Sequence, residues 1–517
     1  MAHALDGLQF PLHPQTQQPS SSQVGKDILA EALSLVDHKT AQRTAAEKNW
    51  RKQYPKYFKA LVEHGILNSA HAIAMAQQGL QKAHHSFDFY RHGERFSFKD
   101  VMNLHAKTLH TVRIQGQSAT APKWYVPYHG QQLRGDALLA QLQRWQDQGI
   151  VEPSHADALR RCVQHPEWFD LSDRTMVLFG AASEAGPLTW LAQWKANIVA
   201  VDLPNPQVWQ KILSTVQGGN ATLYAPSEAD VNADTPHELL AQQLGANLLT
   251  QTPEIAHWLS SYEDALDLAA IAYLDGEKHV RVAMAMDSIM QHVSTTKPDT
   301  SLMFMCTPTD VYAVPEEVVA ASQAKFKQHS ALQRKLSQGL ALLSRQRCFS
   351  PNDHQLRNSD NGERYGISDC LVIEQGPNYA LAKRLQQWRA TVARHSGQTV
   401  SINIAPSTTT HSVVKNPLLK AAFEGAHIFD VEAFAPETTN ALMAALWIHD
   451  LRYPQSVAQP TTPLKHPLEL MMSGANHGGL WRVAYLARTA LPLAAIYGMA
   501  QDKLPKGLLK KLRQPKG

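Results

Sequence analysis

Tyr379 and Lys383 stand four residues apart in a run of helical character, residues 377–394. A helix carries both on one face, about one turn apart. A Lys ammonium beside a phenol favours the phenolate and so lowers the phenol's pKa. Such a pair can give or take a proton in alcohol/carbonyl chemistry near neutral pH. Taken alone, the Y-x-x-x-K spacing equally fits a solvated helix face. The elements around it decide between the two.

The apolar run 174–179, ending at Gly180, has the form of a buried parallel strand. After it come Ala-Ala-Ser183-Glu184-Ala-Gly186, a helical run over 187–194, and a second buried strand, 197–201, closed by Asp202 about twenty residues after Gly180. Strand, glycine turn, helix, strand and acid is the layout of a dinucleotide-binding βαβ unit. The glycines let the backbone approach a pyrophosphate seated on the helix N-terminus. Asp202 would accept hydrogen bonds from an adenosine ribose and repel a 2′-phosphate, so NAD is the expected cofactor and NADP the lesser one. The competing reading is a βαβ unit with no ligand. Further strands are expected at 221–225, 266–273, 301–306 and 399–404, with helices at 236–244 and 280–293 between them. Alternating strands and helices predict an α/β fold, a doubly wound parallel sheet of Rossmann type.

Around that sheet the chain divides further. Residues 1–26, rich in Gln, Ser, Pro and His, read as a mobile tail. Residues 27–170 read as an N-terminal helical domain that packs on the sheet domain or makes a homo-oligomer contact. The dinucleotide-binding unit spans 171–455 with an insertion at about 316–368, either a lid over the site or a surface excursion. Residues 456–517 form a C-terminal helical extension with a basic tail. Its turn 473–482 carries His477, Trp481 and Arg482, which either cover a ligand or simply open the last helix.

Composition excludes other classes. A hydrophobic content of 44% with 18% charged residues over 517 residues describes a folded chain of more than one structural unit. A net charge of +4, with no basic block in the body of the chain, argues against nucleic acid. The four cysteines form no C-x-x-C pair, which suits free thiols in a reducing compartment and offers no zinc site. The densest cluster of potential ligands, His84, His85, Asp88 and His92, reads as a polar helix face, and no metal is expected. No signal peptide or membrane span is legible, so a cytoplasmic location is the default expectation.

Together these residues resemble the short-chain dehydrogenase/reductase family over about residues 172–415. The resemblance rests on the glycine turn, Asp202, the polar residue after the fifth strand, the Tyr379–Lys383 pair, and the sixth strand running into Pro406 and Thr408–Thr410. It implies hydride transfer between a nicotinamide and a small or carrier-bound carbonyl or alcohol. Tyr379 would be the acid/base, and Lys383 would hold the ribose. Thr307, with Thr309 as fallback, would stand where the family has a serine. Gly180, Ser183, Glu184, Gly186, Asp202, Pro406, Thr408 and Thr410 would contact the cofactor. The chain departs from the family at three places. Glu184 occupies the middle glycine of the turn, Leu274-Asp-Gly-Glu277 replaces an Asn-rich stretch, and the insertion puts about seventy residues between Thr307 and Tyr379. Those departures keep two alternatives open: a nucleotide-sensing or scaffolding protein without turnover, and a Rossmann-type dehydratase or epimerase.

Overall fold

The computed structural model describes residues 6–13, 15–232, 234–328, 331–344, 348–411, 415 and 417–501. Its centre is a seven-stranded sheet of β1 (His110–Gln115), β2 (Thr175–Phe179), β3 (Asn197–Val201), β4 (Thr222–Ser227), β5 (Leu266–Ala270), β6 (Ser301–Cys306) and β7 (Val400–Ile404). The order across the sheet is β7-β6-β5-β2-β3-β4-β1. Strands β2 to β7 are mutually parallel, and β1 closes the β4 edge antiparallel, from His110 opposite Ser227 to Gln115 opposite Thr222. All six runs read as parallel strands in the sequence are strands here. Their mutual order is that of doubly wound, Rossmann-like α/β sheets. The chain reverses its direction of travel between the adjacent strands β2 and β5.

The parallel strands are largely apolar and buried because helices cover both faces. Alternation within each strand sorts the side chains: Val177, Phe179, Leu268 and Phe304 join one core, while Met176, Leu178, Ala269 and Met303 join the other. The helices named below are α1 (Ser21–Ser34), α2 (Trp50–Leu67), α3 (Ser69–His85), α4 (Glu277–Thr296), α5 (Pro377–His395), α6 (Pro417–Gly425), α7 (Pro436–Arg452) and α8 (Ala487–Gln501). On the first face α4 packs on α5, and α3 and α1 lie against α5. On the second face α7 packs with the helix Pro153–Gln164, which in turn meets Gly135–Asp147.

Residues 27–170 therefore cover both faces of the sheet and supply β1, where the sequence suggested a separate helical domain. Nor are the described residues of 1–26 a loose tail. Gly7–Gln9 pairs with Asp88–Arg91, Leu8 and Phe10 are buried, and α1 begins at Ser21 with Ser20 capping it. The apolar residues among the Gln and Pro of this stretch anchor it. The basic tail expected beyond Lys503 lies outside the described residues.

The long separation between Thr307 and Tyr379 has a simple structural answer. Val311–Pro315 pairs antiparallel with Arg364–Asp369, in a register that puts Val311 opposite Asp369. The insertion leaves and returns along the same small sheet, so its two ends are zipped together beside β6.

Candidate functional site

Helix α5 begins at Gly376, whose φ of 84° favours glycine, and Pro377 occupies its first turn. Tyr379 and Lys383 follow on the face that lines a cavity of about 1040 Å³. Thr307 and Thr309, in the loop leaving β6, line the same cavity. Their hydroxyls lie 2.8 Å apart, and the Tyr312 hydroxyl fixes the loop by donating to the Thr307 carbonyl at 2.6 Å. Buried Asp310 ties that loop to α5, accepting from Gln387 Nε2 at 2.9 Å and Arg384 Nη2 at 3.3 Å. The residues proposed for catalysis are thus positioned by one buried carboxylate and the paired ends of the insertion.

Their electrostatics differ from the sequence expectation. Burial pushes the Tyr379 phenol up to about 12; a hydrogen bond with Thr307 pulls it back in part, and Asp310 and Cys306 push it further up. Burial lowers the Lys383 ammonium, which Cys306 and Asp310 partly offset. The Lys383 Nζ donates to the Met305 carbonyl at 3.0 Å and to Gln386 Oε1 at 3.3 Å, and stands 6.0 Å from the Tyr379 ring centroid. Two of the Lys383 donors are used on β6 and its own helix, and the expected lowering of the tyrosine pKa is not found. The phenol is held protonated.

At the other end of the cavity, Gly180 ends β2 with a φ of 86°, and a Cβ there would lie 2.6 Å from the Ala272 backbone. Asp202 ends β3 and uses its carboxylate on the turn: Oδ2 accepts from the Ala182 amide at 2.9 Å and Oδ1 from the Leu203 amide at 2.8 Å. Burial raises its pKa, and these two bonds lower it. Glu184 is exposed and accepts from the His411 amide at 2.9 Å, bridging the glycine turn to the segment after β7. In that segment Thr408 donates to the Pro406 carbonyl at 2.9 Å and meets the Thr439 hydroxyl at 2.8 Å. Gly180, Ser183, Glu184, Asp202, Pro406, Thr408 and Thr410 all line the cavity. Gly186 does not line it; its amide donates to the Ser183 carbonyl at 3.0 Å and closes the turn.

One expected element is much shorter than the sequence suggested. The helix after the glycine turn is the single turn Leu188–Leu191, not a run over 187–194. Lys195, with a φ of 57°, already turns the chain toward β3, so the dipole of a full helix does not face this end of the cavity.

Other surroundings were not legible in the sequence. His279, buried on the first turn of α4, stacks on Tyr379 with centroids 5.4 Å apart, and Tyr273 meets the same ring edge-on. Burial, with the Lys383 charge adding to it, holds His279 well below its ordinary pKa and therefore neutral. The only sequence signal was its place after the fourth strand, beside the Leu274–Glu277 stretch. Conversely, the polar groups of the turn 473–482 face away from ligand chemistry. Glu152 accepts from His477 Nε2 at 2.8 Å and from Arg482 Nη2 at 2.6 Å in a buried clamp. The cluster around His84 is not one helix face: His84 and His85 end α3, Asp88 lies on the strand Asp88–Arg91 and His92 in the turn after it, and His84 Nε2 meets Asp287 at 2.6 Å.

No protein-family model, curated protein or solved structure matches this chain. No helix among the described residues is long and apolar enough to cross a membrane.

Proposed function

We propose that the protein is an NAD(P)-dependent oxidoreductase that interconverts a carbonyl and an alcohol, with NAD(H) preferred. One observation carries this reading: a single cavity is lined by Gly180, Asp202, Thr307 and Pro406, each just beyond the carboxyl end of a parallel strand, and by Tyr379 and Lys383 of α5. Doubly wound sheets bind their ligands at that edge, where the strand order reverses. A nicotinamide held at this edge would supply the hydride for the carbonyl carbon, while the Tyr379 phenol would give its proton to the carbonyl oxygen and regain one from solvent. Thr307 lines the same cavity and lowers the phenol's pKa in part, and its hydroxyl would orient the same oxygen. Lys383 has three N–H donors and spends two on protein carbonyls, which leaves one for a ribose hydroxyl. The Asp202 carboxylate disfavours a 2′-phosphate by charge.

The test is turnover of reduced nicotinamide with a panel of aldehydes and ketones, in the parent protein and in Tyr379→Phe. The variant should keep nicotinamide binding and lose about 10²–10⁴-fold in rate, the usual contribution of a general acid. Equal rates in the two proteins would remove Tyr379 from the chemistry.

A second reading, a nucleotide-sensing protein on the same fold, is favoured by the one-turn helix Leu188–Leu191 and by the Asp202 oxygens already accepting two backbone amides. It predicts nicotinamide binding with no turnover of any carbonyl in that panel.

A further inference from the structure

Part of the cavity wall differs in character from the polar end formed by the strand termini. Its volume of about 1040 Å³ lies at the upper end of small-molecule sites, roughly 300–1,000 Å³. The chain segments 419–433 and 480–494 contribute a large share of the lining. Among the lining residues of these segments only Tyr485 carries a polar side chain. Among the described residues, no carboxylate, ammonium or guanidinium reaches the cavity from these segments.

This wall is built by a particular kind of helix packing. Helices α6 and α8 touch backbone to backbone: a Cβ on Gly425 would fall on the Ala494 carbonyl, and one on Gly498 would fall on the Ala421 carbonyl. Contact that close leaves no room for large side chains between the two helices. Leu419 and Phe423 of α6 and Leu491 of α8 accordingly line the cavity, and all three are only half-buried. Apolar surface held open in a concave site is stabilised when an apolar ligand covers it.

From this we infer that the cavity takes a substrate with an extended aliphatic chain, its chain lying against α6 and α8 and its oxygen function at Tyr379 and Thr307. The substrate class rests on the redox reading above; the chain-binding wall does not. A polar or compact carbonyl compound would leave the apolar lining uncovered. A sugar or charged metabolite would lose its hydrogen bonds with water there and find only the Tyr485 hydroxyl among the side chains in return.

Chain length is the quantity to measure. The fluorescent polyene cis-parinaric acid is bound to the whole protein and displaced by the straight-chain 1-alkanols from butanol to hexadecanol. Each methylene buried against the wall should tighten binding roughly fourfold until the limb of the cavity walled by α6 and α8 is full, after which the gain stops. Ala490→Phe and Ala422→Phe place bulk in the limb, so the plateau should come at a shorter alkanol in either. Phe423→Ala widens the limb, and the plateau should move to a longer one. Affinities that do not depend on chain length in the parent protein would overturn the inference. So would a chain-length dependence that none of the three variants alters, because the chain would then be bound elsewhere. A parallel titration with NADH separates the two readings. Chain-length dependence without NADH binding supports the apolar wall and sinks the oxidoreductase; NADH binding with no chain-length dependence sinks the wall alone.

Discussion

Tyr379 is a phenol that its surroundings keep in the acid form. Burial pushes it up to about 12, and the Thr307 hydrogen bond offsets only part of that rise. A group with a raised pKa keeps its acid form at every pH below it, and the acid form is the one that protonates a carbonyl oxygen. Carbonyl reduction should therefore be level from about pH 6 to about pH 9, with no limb from Tyr379 in that window. The reverse oxidation needs the phenolate and should climb with pH across the same range. Rate profiles in both directions check this; a limb near neutral pH in the reduction that disappears in Tyr379→Phe would contradict it. At this scale the sequence was half legible. The Tyr379–Lys383 spacing is local, so it could be read directly, and Thr307 could be placed by its position after a strand. The state of the phenol could not be read, because it is set by burial, Asp310 and Cys306, which reach Tyr379 only through the fold. Lys383 shows the same limit. Nothing in its spacing reveals that its ammonium is held by the Met305 carbonyl.

Two elements make the site rigid, and each can be broken by one substitution. Gly180 needs its positive φ and its missing Cβ at once, since a Cβ would sit 2.6 Å from the Ala272 backbone. Gly180→Ala should destabilise the protein by at least about 2 kcal/mol, combining left-handed strain with a backbone clash, and should weaken nicotinamide binding in parallel. Denaturant unfolding and a binding titration on the same variant measure both. The second device joins three helices. Asp287 of α4 takes Arg389 of α5 at 2.6 and 2.8 Å and His84 of α3 at 2.6 Å. Burial alone would raise its carboxyl, but Arg389 and His84 hold it well below the usual range. Its contribution to stability is therefore complete above the unfolded carboxylate value and is lost only as pH falls toward the depressed folded one. Asp287→Ala leaves a guanidinium buried without its partner and should cost about 3–5 kcal/mol near neutral pH. A loss under about 1 kcal/mol in denaturant unfolding would mean that Arg389 finds another partner or water. The parallel strands were legible as short apolar runs bounded by turns. Strand β1 was not, since only Val112 and Ile114 are buried in it, too short an alternation to stand out among helices. The one-turn helix Leu188–Leu191 was overcalled because an apolar run between two strands looks the same at one turn as at two.

For the molecule as a whole, the sheet is the frame and the rest of the chain is cover. The first 170 residues close both faces and one edge, the insertion returns beside β6, and α6 and α8 wall the cavity. The parallel, doubly wound character of the sheet was readable from the alternation of strands and helices; its strand order was not. The wrapping was not, because helices that cover a sheet and helices that form their own domain have the same amphipathic pattern. Everything proposed for this protein converges on the cavity edge where Asp202 and Tyr379 both stand. The most direct measurement is a titration of the purified protein with NADH and with NADPH, read by nicotinamide fluorescence. Saturable binding of both is expected, tighter for NADH because in the proposed pose the Asp202 carboxylate would face the 2′ position, with the preference narrowed in Asp202→Ala. Binding of neither nucleotide would contradict the proposed function at its centre.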